Sequence, residues 1–304
     1  MQELRDKKIL VTGLTGQVAR PIAQDLAPRN DVWGIARFSN PALRAELEAG
    51  GVRCETVDLE AGDFSSLPAD FDIVLHFAVS RAPKPDFDRD LRANAEAAGL
   101  LLAHTRPRAA FFHCSTTGVY QADGHTVFTE ESPLGDNHRV MMPTYSIAKI
   151  AAEAVVRTMA RQFEVPTVIA RLNTPYGETG GWPWYHLLMM KNGVPIPVHS
   201  DGPSQYTLFH QRDIIRTLPG LVAAARVPAL IVNWCGREHV SIEEWCAYLG
   251  ELTGLEPKFE PTDRTLQSVM TDDARMRELV GPAEVPWKQG LREMVEKLAP
   301  ELLR

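Results

Sequence analysis

Tyr145 and Lys149 lie four residues apart, about one turn if the segment is helical, so their side chains would share a face. An ammonium beside a phenol favours the phenolate and lowers its pKa from about 10. Tyr145 could then serve as a general acid or base near neutral pH, and Lys149 could also reach a bound ribose. A Tyr-x-x-x-Lys pair also occurs on ordinary helix faces, so its setting has to decide. Upstream, Cys114-Ser115-Thr116-Thr117-Gly118-Val119-Tyr120 closes an apolar run. A hydroxyl at a strand's carboxyl end can donate to a substrate carbonyl and hold it against Tyr145. Ser and Thr are also ordinary turn residues at such ends.

A second set of residues suits a dinucleotide. Residues 12–19, Thr-Gly-Leu-Thr-Gly-Gln-Val-Ala, make a Gly-x-x-Gly-x-x-Ala turn between a predicted strand and a predicted helix. Gly13 and Gly16 permit a tight turn, and Ala19 lets helix and strand pack closely. The amides around Gly13, Thr15, Gly16, Gln17 and Val18 would face a pyrophosphate. The next strand ends Gly34-Ile35-Ala36-Arg37-Phe38-Ser39, with no carboxylate to bond an adenosine ribose. Arg37, assisted by Ser39, could pair with a 2′-phosphate; the alternative is a solvated arginine at a strand end. NADP(H) is therefore the preferred cofactor, with NAD(H) as the alternative.

The elements that must position these groups can be read from the hydrophobic pattern. Strands are predicted at 8–12, 31–36, 52–57, 71–77, 109–115 and 166–170, and helices at 17–27, 91–104 and 144–163. Strands alternating with helices imply right-handed crossovers and a mostly parallel sheet. After Arg171 the rhythm changes: Pro, Gly and Trp crowd 175–203, with helices following at 212–225, 242–253 and 288–298. A strand at 230–234 could close the sheet. The expected fold is α/β, a doubly wound, mostly parallel Rossmann-type sheet with a smaller C-terminal substrate lobe. The dinucleotide domain would span 1–173, with 212–237 returning to it. The lobe would span 174–211 and 238–304.

The 304 residues allow a large core, and a net charge of -7 argues against nucleic-acid or anionic-membrane partners. The four cysteines form no C-x-x-C pair, so neither a metal site nor a disulfide framework is expected. Residues 1–13 carry no apolar run before the first strand, and no stretch approaches a membrane span, so a cytoplasmic protein is expected.

Together these residues resemble the extended short-chain dehydrogenase/reductase family, often called NAD-dependent epimerase/dehydratases, over nearly the whole chain. The glycine turn matches its phosphate loop. Asp58-Leu59 matches its adenine contact, and His76-Phe77-Ala78-Val79 its cofactor motif after the fourth strand. Asn94 matches the asparagine of the following helix. Ser115 to Tyr120 places Thr116 at the active-site hydroxyl position, and Tyr145 and Lys149 match the catalytic pair. Residues 171–177, Arg-Leu-Asn-Thr-Pro-Tyr-Gly, resemble the segment that passes the nicotinamide at Pro175. The resemblance implies hydride transfer between nicotinamide and a carbinol carbon. Tyr145 would move the hydroxyl proton, Lys149 would lower its pKa, and Thr116 would orient the oxygen. Ser80 and Thr117 would contact substrate. A homodimer through the helices at 91–104 and 144–163 is implied as well.

Departures from the family pattern narrow the substrate. Nucleotide-sugar 4,6-dehydratases usually carry Thr-Asp-Glu where this chain has Thr116-Thr117-Gly118, so water elimination is disfavoured. Thr174 stands where sugar-nucleotide enzymes often place an asparagine, with Asn173 one position early. Tyr206 stands where those enzymes often hold the diphosphate with an arginine, and a neutral phenol cannot fork onto phosphate oxygens; Arg212 or another basic residue would have to compensate. Trp182, Trp184, Tyr185 and His186 would suit a wall against an apolar or ring-shaped substrate; lobe core or a dimer contact reads them equally well. Met141 and Met142 are open to the same two readings. His113 and His210 read as structural, and His186 as the one histidine to test for chemistry or substrate binding. The expected activity is a reductase or dehydrogenase acting on a carbonyl or secondary alcohol. The first alternative is a sugar-nucleotide 4-epimerase or 4-ketoreductase; the second is a dinucleotide-sensing binding protein without turnover.

Overall fold

The computed structural model describes residues 3–80 and 84–304. Seven strands form the main sheet: β1 (Lys8–Thr12), β2 (Asp31–Ala36), β3 (Arg53–Thr56), β4 (Ile73–His76), β5 (Ala110–Thr116), and two further strands, Thr167–Leu172 and Leu230–Trp234. Their order places Leu230–Trp234 and Thr167–Leu172 outside β5, followed by β4, β1, β2 and β3. The pairs β1/β2, β1/β4, β2/β3 and β4/β5 are parallel. The order reverses beside β1, the position where open α/β sheets bind ligands beyond their strands' carboxyl ends. β4 and β5 are buried at every residue, as expected for parallel strands covered on both faces.

The chain divides into two compact units. Unit one comprises the described residues of Met1–Thr116, Thr144–Arg171 and Thr217–Val232. Its core includes Leu10, Ile35, Phe71, Val74, Leu101, Phe111, Val156 and Ile169. Helix α1 (Ala19–Leu26) follows the glycine turn, and α2 (Pro41–Ala49) follows β2. The predicted helix at 91–104 starts earlier, as α3 (Phe87–Leu91), passes through a π turn at Arg92–Glu96 and continues as α4 (Ala97–Thr105). Helix α5 (Tyr145–Gln162) is the predicted long helix.

Unit two comprises Thr117–Pro143, Leu172–Arg216 and Asn233–Arg304. It therefore includes residues 117–143, which the sequence pattern grouped with the dinucleotide domain. Helix α6 (Trp182–Lys191) precedes α7 (Gln211–Ala223), whose last residues belong to unit one. Helices α8 (Ile242–Thr253), α9 (Ala274–Val280) and α10 (Trp287–Leu298) complete the element order. The core of unit two joins Leu187, Tyr206, Trp245, Leu249, Leu291 and Met294. A capping box fixes the start of α8: Ser241 accepts from Glu244 N, and the Glu244 side chain accepts from Ser241 N.

Helices α2, α6 and α9 were not foreseen. The start signal of α2 was local and readable, since Asn40 Oδ1 accepts from Ala42 N and Leu43 N and Pro41 sits at the first helical position. The aromatics of α6 hid its period, because Trp182 and Trp184 are half-buried against the core while Tyr185 is exposed. No helix among the described residues is long and apolar enough to cross a membrane.

Candidate active site

The glycine turn is built around close backbone approach. Gly13 has a φ of +71°. A Cβ on it would lie 2.8 Å from Ala78 Cα and 2.9 Å from Ala78 N, so glycine alone admits the backbone that leaves β4. Gly16 N donates to Gly13 O at 2.8 Å and closes the turn. Thr12 Oγ1 accepts from Ala78 N at 3.0 Å and lies 2.8 Å from His76 Nδ1, tying the end of β1 to the chain leaving β4.

The resulting cleft is lined by Gly13, Thr15, Ile35, Ala36, Arg37, Val57, Asp58, Leu59, Ala78, Val79 and Ser80. These residues end or follow the carboxyl ends of β1 to β4. Seven predicted cofactor residues line it: Gly13, Thr15, Arg37, Asp58, Leu59, Ala78 and Val79. Gly16, Gln17 and Val18 belong to the turn that shapes the cleft but do not line it, and exposed Ser39 lies just beyond Arg37. Phe77 is buried, with its ring 5.5 Å from that of Phe112. The Arg37 guanidinium is exposed and makes no ion pair with the described residues. The cleft therefore fits a dinucleotide: a cradle that a Cβ would fill at Gly13, an exposed cation at the end of β2, and a carboxylate, Asp58, beyond β3.

Two residues expected to touch ligands are bonded to one another. Ser80, expected at the substrate, lines this cleft and is gripped by Asn94. Ser80 N donates to Asn94 Oδ1 at 2.8 Å, and Asn94 Nδ2 donates to Ser80 O at 2.8 Å and to Asp90 O at 2.7 Å. Asn94, expected at the cofactor, is thus buried in the wall behind the cleft.

Helix α5 carries Tyr145 half-buried in its first turn and Lys149 buried one turn on. Lys149 Nζ donates to Cys114 O at 3.0 Å, on the strand that ends at Thr116. Burial pushes the Lys149 ammonium below its usual pKa, while Cys114 and Glu153 act in the opposite direction. Thr116, Tyr145 and Lys149 all belong to unit one. One turn beyond Lys149, Glu153 is held by Arg171 through Nε to Oε1 at 3.0 Å and Nη2 to Oε2 at 2.8 Å, and Ser115 Oγ donates to Glu153 Oε1 at 2.6 Å. Sequence reasoning missed Glu153, although Tyr145, Lys149 and Glu153 recur at four-residue spacing on one face. It read Arg171 only as part of a motif.

His76 and His113 stack at 5.3 Å under this region. Burial, aided by Lys149, lowers the His76 pKa to about 3 and holds His113 well below the usual imidazole range. Neither ring nitrogen of His113 finds a hydrogen-bond partner among the described residues.

In unit two, the aromatic segment divides: Tyr185 is exposed, Trp182 and Trp184 are half-buried against the core, and His186 is buried within it. His186 is buried, its Nδ1 accepts from Trp245 Nε1 at 2.9 Å, and the two rings stack at 5.6 Å. Burial lowers the His186 pKa to about 4, so the ring is a neutral acceptor locked to an indole. Trp182 packs edge-on to Tyr206 at 4.9 Å, and Trp184 lies against the same cluster. Tyr206 is buried, and its hydroxyl donates to Leu266 O at 3.3 Å or Gln267 O at 2.9 Å. Burial raises its pKa, so the hydroxyl stays protonated and donates to those carbonyls. Pro175 is half-buried at the start of a short strand, Pro175–Gly177. Thr117 is buried at the start of a 3-10 turn. At Gly118 a Cβ would lie 2.4 Å from His138 Cε1, so no carboxylate side chain fits there while that ring stays in place. Among the described residues, no group of three His, Cys, Asp or Glu could hold a metal ion.

A sequence model of the NAD dependent epimerase/dehydratase family matches residues 9–229. A trifunctional UDP-glucose 4,6-dehydratase/UDP-4-keto-6-deoxy-D-glucose 3,5-epimerase/UDP-4-keto-L-rhamnose-reductase of Arabidopsis thaliana is 24% identical over 97% of this chain and 48% of its own length. The chain thus spans about half the length of that relative. An uncharacterized UDP-glucose epimerase of Bacillus subtilis is 22% identical over 84% of this chain and 85% of its own. Among solved structures, the UDP-glucuronic acid 4-epimerase of Bacillus cereus, in complex with UDP-glucuronic acid and NAD, superposes with a TM-score of 0.83. It is 21% identical and covers 97% of this chain and 99% of its own.

Proposed function

Because the chain belongs to the NAD dependent epimerase/dehydratase family, we propose that it is an oxidoreductase acting on one carbinol carbon of a nucleotide sugar, with Thr116, Tyr145 and Lys149 as its catalytic set. The observation that carries this reading is Lys149. It is buried, yet its ammonium rests on a main-chain carbonyl of the strand that ends in Thr116, one turn from Tyr145. A desolvated cation in that place acts on a neighbouring phenol far more strongly than it would in water.

A dinucleotide held in the cleft would supply the hydride acceptor or donor. Gly13, Thr15, Ala78 and Val79 present backbone and small surfaces to it, with Gly16, Gln17 and Val18 shaping the turn. Asp58 and Leu59 flank its adenosine end. Arg37 offers a guanidinium for a 2′-phosphate, which favours NADP(H); the NAD bound in the Bacillus cereus epimerase favours NAD(H). Tyr145 takes the proton from the substrate hydroxyl on oxidation and returns it on reduction. Lys149 stabilises the phenolate that accepts this proton and that forms again when the proton is returned, and Thr116 donates to the substrate oxygen. Gly118, which leaves no carboxylate beside Thr117, favours epimerisation or ketoreduction over water elimination.

A second reading, reduction of a carbonyl compound that has no diphosphate, is favoured by Tyr206, which is buried in core where a diphosphate-binding arginine would be expected. The test is a panel of UDP-glucose, UDP-glucuronic acid and dTDP-glucose, each with NAD(H) and NADP(H), on wild type, Arg37→Ala and Tyr145→Phe. A C4-epimeric product without net dinucleotide change supports epimerisation; net NAD(P)H consumption with simple ketones supports the second reading. Turnover that survives Tyr145→Phe refutes the catalytic set. NADH preference unchanged by Arg37→Ala refutes the 2′-phosphate assignment.

A further inference from the structure

The start of α5 is fastened from outside the helix. Thr144 stands at its N-cap position, yet its side chain makes no capping bond. Its hydroxyl instead donates to Asp90 Oδ2 at 2.6 Å. Asp90 is a buried carboxylate in α3, 2% exposed, and Arg89 Nη1 approaches its other oxygen at 3.3 Å. Arg89 is in turn paired with Glu60 Oε2 at 2.8 Å. A carboxylate removed from water is retained only where its partners are well placed, and a threonine that forgoes its cap leaves first-turn amides without it.

The same aspartate leads to the dinucleotide cleft. Asp90 O accepts from Asn94 Nδ2, and Asn94 grips both main-chain groups of Ser80, a lining residue. Asn94 lies in the π turn, Arg92–Glu96, where the extra residue per turn alters which side chains face inward. One continuous chain of bonds therefore runs from Ser80 through Asn94 and Asp90 to Thr144, the residue before Tyr145. Every member lies in unit one.

We infer that Asp90 and Thr144 are positioning residues for Tyr145: they set the first turn of α5 in register with the wall of the dinucleotide cleft, so the phenol is placed relative to the dinucleotide. This rests on the catalytic role proposed above for Tyr145. A displacement of about 1 Å in a reacting group costs up to about 100-fold in rate, whereas dinucleotide affinity depends on the glycine turn and not on Thr144.

The test compares wild type, Thr144→Val, Thr144→Ser, Asp90→Asn and Tyr145→Phe in the nucleotide-sugar panel. NADH and NADPH binding are followed by tryptophan fluorescence, and deuterium uptake is measured over residues 145–149. The expected result is a kcat about 10- to 100-fold lower for Thr144→Val, with dinucleotide Kd within about twofold. Thr144→Ser should restore kcat, and uptake should rise at 145–149 in the valine variant alone. Asp90→Asn keeps the shape and an acceptor for Thr144, so it should lose less rate than Thr144→Val. Wild-type kcat in Thr144→Val, a loss that serine does not restore, or Kd and kcat falling together would each overturn the inference. Turnover that persists in Tyr145→Phe removes the catalytic reading itself, and no turnover by wild type on the panel removes both. Loss in Tyr145→Phe beside unchanged Thr144→Val defeats only the positioning role.

Discussion

Gly13→Ala is the substitution for which the structure makes the sharpest demand. The residue sits at a φ of +71°, where an alanine costs about 1–2 kcal/mol. Its Cβ would also stand 2.8 Å from Ala78 Cα and 2.9 Å from Ala78 N, both main-chain atoms that cannot rotate away. Relieving that contact means moving the chain after β4 by several tenths of an ångström. Ala78 N is bonded to Thr12 Oγ1, so the shift strains the tie between β1 and β4 as well. Overpacking of this kind adds about 1–3 kcal/mol, giving a loss of about 2–5 kcal/mol in all. Urea unfolding at 25 °C reads it directly, and dinucleotide titration should show at least about a tenfold weaker Kd, the factor that each 1.4 kcal/mol represents. Gly16→Ala is the internal comparison: its φ is ordinary and its Cβ would meet only Gly13 O, at 3.0 Å, so its loss should be smaller. A Gly13→Ala protein within about 0.5 kcal/mol of wild type, with unchanged dinucleotide affinity, would refute the close-approach argument.

Three further outcomes follow from buried groups. Glu153→Gln leaves the Arg171 charge buried without its carboxylate, so unfolding free energy should drop by about 3–5 kcal/mol; a change under about 1 kcal/mol would show that the pair is not desolvated. His76, His186 and His210, with pKa values lowered to about 3, about 4 and about 4, are neutral when folded but take up protons when unfolded below about pH 6.5. The unfolded state then binds more protons, so stability present above pH 6.5 is lost as pH falls, by about 1 kcal/mol per histidine between pH 6.5 and 5.5; a flat urea midpoint over that interval contradicts it. His186→Ala should destabilise by about 2 kcal/mol or more through the unpaired Trp245 indole and the cavity, while His186→Gln, which keeps an acceptor, should recover part of the loss. A turnover pH profile altered by His186→Gln at unchanged stability would return this histidine to the chemistry.

How much of this was legible in the sequence depends on how far apart the partners lie. The turn at Gly13 and Gly16 and the helix that carries Tyr145 and Lys149 were readable because their requirements are local: a turn, a close approach and one helical repeat. The mostly parallel sheet followed from the alternation of strands and helices. The buried place of His186 was not readable, because its partner, Trp245, is 59 residues away. Asp90 carried no sequence signal, since its partner Thr144 is 54 residues distant and nothing in Asp88-Arg89-Asp90 marks one carboxylate as buried. The π turn was invisible for a related reason, because a single extra residue shifts the face of a helix without disturbing its apolar content.

The long-range partners also explain how a buried lysine can remain useful. Glu153 lies four residues after Lys149 on the same helix and would be its natural ion-pair partner. A direct pair would localise the ammonium on a carboxylate and weaken its effect on a phenol. Here Arg171 occupies both Glu153 oxygens and Ser115 adds a third bond, so the carboxylate is satisfied elsewhere. Lys149 is left with the dipole of the Cys114 carbonyl, which orients the ammonium without neutralising it. Under the proposed mechanism Arg171, on the strand Thr167–Leu172, would thus bear on chemistry at a helix it does not belong to. The nearby buried charges then divide by contact: Glu153 pairs with Arg171 and reaches Lys149 only through space, and under the proposed mechanism Lys149 would act on Tyr145.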